Sequence, residues 1–202
     1  MQLDNLNVLL PESSRIAGTL AGEISWQGEI EQTAARLNLD GIALSLKDDE
    51  DWKEVLAFSP GSVVVGPGAG LQLNVHLPLA DGKEKTGLFA DATLTPLTGQ
   101  PTERWPIDAQ LSMAFPDLSW VASFTDQLDT FSGALEGGLE LNGTLETPNL
   151  TGVTTFTSPS QTLSELGITL RDTLIELKGT QNGLKLAGNM RSGEGALTLA
   201  GD

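Results

Sequence analysis

Apolar and polar residues alternate with a period of two along most of this chain, and no other feature restricts its fold so strongly. Leu71, Leu73, Val75 and Leu77 alternate with Gln72, Asn74 and His76. Ile107, Ala109, Leu111, Met113 and Phe115 alternate with Asp108, Gln110, Ser112 and Ala114. Shorter sets with the same spacing are Leu37/Leu39, Ile42/Leu44/Leu46, Leu139/Leu141, Ile168/Leu170, Ile175/Leu177, Leu184/Leu186 and Leu197/Leu199. Side chains of a strand point to opposite faces in turn, so each set reads as a strand with one apolar and one polar face. The chain is therefore all-β.

Turn signals separate these runs: Asp40-Gly41, Asp81-Gly82, Thr98-Gly99, Asn182-Gly183 and Gly193-Glu194-Gly195. Asp-Gly and Asn-Gly suit the left-handed positions of tight hairpins, which predicts mostly antiparallel strands following one another in order. Two stretches break the pattern. Leu118, Val121, Ala122, Phe124 and Leu128 stand at helical spacing behind Pro116 and the capping residue Asp117, predicting one short helix within 117–128. Lys47 to Phe58, with Trp52, Val55 and Leu56 as its apolar residues, reads as a helical turn or a loop.

Residues 16–28 align with 131–143 at a constant offset, so that Gly18, Gly22 and Gly28 fall on Gly133, Gly137 and Gly143. Each block follows a weakly apolar lead, Leu6 to Leu10 and Leu118 to Leu128, and together they predict an internal repeat. Glycine weakens a flat strand but tolerates the backbone angles of bends and bulges, so glycines at fixed intervals predict a sheet that curves into a trough. The expected unit is a single elongated β domain over 1–202. The closing ALTLAGD stops in mid-pattern, which leads us to expect a fragment of a longer protein.

Composition removes several functions. Eleven basic against 27 acidic residues give a net charge of −16, which repels nucleic acid and anionic surfaces. With no cysteine there is no disulfide and no thiolate metal site. His76 is the sole histidine, so histidine-dependent nucleophilic chemistry and multi-histidine metal sites are excluded. Val63 to Gly70 ends in alternate glycines but precedes a strand and lacks Gly-Lys-Ser/Thr, so it is a turn and not a phosphate loop. Asp48 to Asp51 lacks the ligand spacing of a calcium loop and reads as a solvated run. Trp26, Trp52, Trp105 and Trp120 are too scattered to form a sugar platform and read as core or rim anchors. No enzyme and no cofactor is expected. The start, MQLDNLNVLLPESS, has neither the basic region nor the apolar length of a signal peptide.

The run from Leu128 to Gly152, LDTFSGALEGGLELNGTLETPNLTG, resembles the L-x-G-x-L-x-G-x-L-x-L-x-G-x-L-x-x-P-x-L-x-G units of the TamB family. This family supplies the large subunit of the translocation and assembly module within the AsmA-like superfamily. The segments LGITL, IELKG, GLKLAG and GEGALTLAG, between Leu166 and Gly201, continue the style. The resemblance implies the periplasmic part of an inner-membrane-anchored protein of a Gram-negative bacterium, with the outer-membrane barrel TamA as partner. It also implies a taco-like β-groove with an apolar interior that takes phospholipid acyl chains to the outer membrane, with nascent outer-membrane proteins as further partners.

On that basis the candidate lipid-lining residues are Leu71, Leu73, Val75, Leu77, Ile107, Leu111, Met113, Leu139, Leu141, Ile168, Leu170, Ile175, Leu177, Leu184, Leu186, Leu197 and Leu199. Alternation alone favours a closed sandwich, in which two apolar faces pack on each other; the repeat and the resemblance reverse that preference. A structural or chaperone role, in which sheet edges pair with strands of an unfolded outer-membrane protein, stands as the alternative.

Overall fold

The computed structural model describes residues 2–4, 7, 10, 12–25, 34–48, 50–67, 70–83, 85–124, 128–163, 165–180 and 183–202. Its strands are β1 (Ser14–Ser25), β2 (Ala34–Asp48), β3 (Asp51–Ala57), β4 (Gly61–Pro67), β5 (Leu71–Pro78), β6 (Gly87–Leu94) and β7 (Pro106–Phe115). They continue with β8 (Leu128–Phe131), β9 (Ala134–Thr144), β10 (Pro148–Leu163), β11 (Ile168–Thr180), β12 (Gly183–Ser192) and β13 (Gly195–Gly201). All belong to one open, curled sheet in which every pairing is antiparallel, in the order β1-β2-β4-β5-β6-β7-β9-β10-β11-β12-β13. Sequence order and spatial order coincide because each short connection returns the chain beside the strand it has just left. No second sheet lies against this one among the described residues.

Two long strands take a broken partner. Along β2, β3 ends with Ala57 opposite Ala43 and β4 begins with Gly61 opposite Leu39. Along β10, β9 ends its pairing at Ala134 opposite Thr157 and β8 resumes with Phe131 opposite Gln161. Pro60 and Pro159 fall in these gaps, where a residue without an N–H removes no ladder bond. Gly18 faces the register shift between β1 and β2, and Gly133 lies in the gap between β8 and β9.

Three local expectations are corrected. Asp40-Gly41 is a bulge inside β2 and not a hairpin: Ala17 pairs with Ala43 but Thr19 with Asp40, so Gly18 alone faces Gly41 and Ile42. Gly41 takes φ +60° there, the left-handed angle such a bulge requires. The stretch 47–58 is neither helix nor loop; its centre is β3, an edge segment paired with β2 on one side. Within 117–128 the helix is a six-residue 3-10 helix, Ser119–Phe124, and Leu128 already belongs to β8. Asp117 does serve the helix start, its carboxylate accepting the Ser119 N–H at 2.8 Å. Gly82 and Gly99 fall in turns, and Gly193 with Glu194 closes the β12–β13 hairpin. Trp26, Gly28 and Asn182, by contrast, lie outside the described residues.

Candidate functional site

The ladder decides which side chains share a face. Residues directly opposite in antiparallel strands point the same way, so a row of partners crosses the sheet on one side. One such row is Leu37, Val63, Val75, Ala90, Leu111 and Leu139. A second passes through Leu77, Leu88, Met113 and Gly137, then Thr154, Leu177 and Leu186. Leu73, Ala92, Ala109, Leu141 and Leu150 form a third, and Leu71, Leu94 and Ile107 a fourth. Further along, Phe115, Leu135, Phe156 and Ile175 continue the face, then Gly188 and Leu199. Leu197 stands opposite Met190, and Leu184 opposite Gly179.

Ile168 and Leu170 reach the same face through a bulge. The register of β11 on β12 shifts between Arg171 and Leu174, with Asp172 at φ +49°, and the extra residue resets the alternation. Without it, Ile168 and Leu170 would point away from Ile175 and Leu177. The 17 residues singled out from sequence therefore lie on one face of one sheet. The sequence reading left out β6, whose Leu88, Ala90, Ala92 and Leu94 sit on that face. In GLFADATL the small alanines and Phe89 on the other side blur the alternation; the Leu88–Leu94 spacing of six is the surviving signal.

The opposite face is polar. Asn74, Asp91, Gln110 and Glu140 form one of its rows, and Gln72, Thr93, Asp108 and Asn142 another. In β7 the two faces separate cleanly: Asp108, Gln110 and Ser112 are exposed while Ile107, Ala109 and Leu111 are half-buried. Among the described residues the buried apolar side chains are Leu3, Leu79, Leu118, Leu170 and Met190. None belongs to the apolar rows of β5, β6, β7 or β9, where a closed core would have its centre. At the far end the face is more open still, with Leu197 47% exposed and Leu199 41%.

Eleven strands follow one another along the path, so ten inter-strand spacings of about 4.8 Å give a face about 48 Å long. Its wall is aliphatic. The Phe131 and Phe156 rings stack at 5.8 Å beside the β8–β9 gap. Of the tryptophans described, Trp52 is 38% exposed and carries the Arg15 guanidinium 4.8 Å above its ring, at the sheet edge.

No helix among the described residues is long and apolar enough to cross a membrane. No curated protein and no solved structure matches the chain. A family model described as the TamB N-terminal domain matches residues 1–155, which is 155 of the chain's 202 residues. Within that span lie β1 to β9, the row from Leu37 to Leu139 and the start of β10, and by this match the chain belongs to the family of TamB N-terminal domains.

Proposed function

We propose that this chain is a stretch of a lipid conduit, a carrier and not an enzyme, whose apolar sheet face holds phospholipid acyl chains in the periplasm on their way between inner and outer membrane. One observation carries the reading: a continuous apolar face about 48 Å long that no second layer covers among the described residues. A face of that size left to water would be an aggregation liability, and a soluble protein that keeps one uses it.

The chemistry suits acyl chains. Each buried CH₂ contributes about 0.8 kcal/mol, and successive rows of Leu, Ile, Val and Ala offer nearly equal environments. A chain is thus held along the whole face while neighbouring positions differ little, so it slides more readily than it stays. In this reading the conduit acts with the outer-membrane barrel TamA and supports assembly of outer-membrane proteins.

The test is in-cell photocrosslinking from positions 139 to 142, with mass spectrometry of the adducts. Phospholipid adducts are expected at Leu139 and Leu141, whose side chains face the apolar rows, and not at Glu140 or Asn142. Absence of lipid from the two leucines would overturn the reading.

A further inference from the structure

On the polar side of the sheet, away from the apolar rows, the β5–β6 hairpin and its neighbours enclose a concavity of about 700 Å³. His76, Phe89 and Ser112 are successive cross-strand partners on β5, β6 and β7 and form its wall. Lys83 and Lys85 line it from the hairpin, and Pro78, on the same side of β5 as His76, adds apolar surface. This one site collects the only histidine and two of the eleven basic residues of a chain with net charge −16.

The hairpin is built to hold its shape. Thr86 donates its hydroxyl to Asp81 Oδ1 at 2.7 Å, and the Lys83 N–H donates to the same oxygen at 3.0 Å. Lys85 takes φ +67°, a left-handed conformation that lysine rarely adopts. An unfavourable backbone angle beside a pocket points to use of the side chain it carries. Neither lysine enters an ion pair among the described residues; Lys83 exerts only a minor coulombic pull on Asp81. The imidazole packs edge-on against Phe89 at 5.1 Å between centroids, with an interplanar angle of 64°.

We propose that this pocket binds a phosphate group carried on an organic body. Two ammonium groups and the Ser112 hydroxyl offer more donors and charge than a carboxylate needs, and lysine serves phosphate well as a point charge. Phe89 and Pro78 accept the carbon part of the ester. The phosphate belongs either to a lipid headgroup or to a small soluble phosphate, and the two share the recognition chemistry. The site lies on the polar face, so it stands or falls separately from the acyl-chain face.

His76 gives the experiment a built-in reporter, because the imidazole C–H proton signals of the whole chain come from this residue. The protein is titrated separately with dihexanoyl-phosphatidic acid below its micelle concentration, with inorganic phosphate, and with hexyl glucoside as an uncharged amphiphile. A saturable shift of the His76 signals with phosphatidic acid and none with the glucoside is the expected result. If inorganic phosphate shifts them too, at tenfold or weaker affinity, the site takes soluble phosphates; if it does not, the lipid is the source.

The double variant Lys83→Gln, Lys85→Asn removes both charges while asparagine keeps the left-handed angle. It should weaken binding at least tenfold with an unchanged circular dichroism spectrum. No shift with any phosphate, an equal shift with the glucoside, or undiminished binding by the folded double variant would each overturn the proposal.

Discussion

Gly137 shows how much of this sheet rests on single residues. Its φ of +142° is open to glycine, and a Cβ built there would land on the Val153 carbonyl oxygen and the Thr154 Cα of β10. Both conflicts are with backbone, so no rotamer change relieves them. Gly137→Ala should therefore cost about 2–4 kcal/mol, read as a lower urea midpoint at unchanged slope. Gly66 is the control: no atom lies within 4 Å of its built Cβ and its φ is not left-handed, so Gly66→Ala should leave the midpoint within about 0.5 kcal/mol. Asp81 makes a prediction in pH. The Thr86 hydroxyl first, and then the Lys83 N–H, hold its carboxyl below the usual 3.8. A depressed folded value means that the contribution is complete above the ordinary carboxylate range and is lost as pH falls through the lowered value. The Lys83 amide signal should thus titrate with a midpoint below 3.8, and Asp81→Asn should abolish that step.

At the scale of the element, register matters more than any one contact. Inserting an alanine between Gln110 and Leu111 would send Leu111, Met113 and Phe115 to the polar face and bring Ser112 and Ala114 inward. With three half-buried apolar side chains displaced, the loss should be roughly 3 kcal/mol or more, and amide protection should collapse in β6, β7 and β9. An insertion between Leu97 and Thr98, in the exposed turn before β7, should cost under about 0.6 kcal/mol. The same period of two explains what could be read from the sequence. Strands with one apolar face announce themselves, and alternation puts the candidate residues of each run on one face, but Ile168 and Leu170 join Ile175 and Leu177 only through the bulge at Asp172. Bulges do not announce themselves: Gly41 at φ +60° satisfies a hairpin or a bulge equally, and only the pairing partner decides. β3 was hidden because it is an edge segment, with Asp51, Trp52, Lys53 and Glu54 exposed, and charges that guard an edge mask its alternation. The spacing of Leu118, Val121 and Ala122 fits a 3-10 turn and an α-helix alike, so a six-residue helix could not be told from a longer one.

For the whole molecule, if the open face carries acyl chains as proposed, stability and carriage separate in a way that a closed core would forbid. Leu139 stands in the middle of the path, half-buried, with Leu111 on one side and Gly152 on the other. In a packed core an aspartate at this position would be an unpaired buried charge and would cost several kcal/mol of stability. On an uncovered face the carboxylate keeps its water, and the substitution should cost no more than about 1.5 kcal/mol, the value of the partial Leu burial lost. In the proposed conduit the penalty moves to the cargo: an acyl chain passing the site must strip that water or leave the wall. A barrier raised by about 3 kcal/mol slows passage by roughly a hundredfold. Leu139→Asp should therefore fold with a near-normal urea midpoint and fail to move phospholipid between donor and acceptor vesicles. Glu140→Leu, on the polar face of the same strand, should move it at the normal rate. A large fall in the urea midpoint of Leu139→Asp would mean that this face is packed against something, and the trough would be closed where the row from Leu37 to Leu139 crosses it.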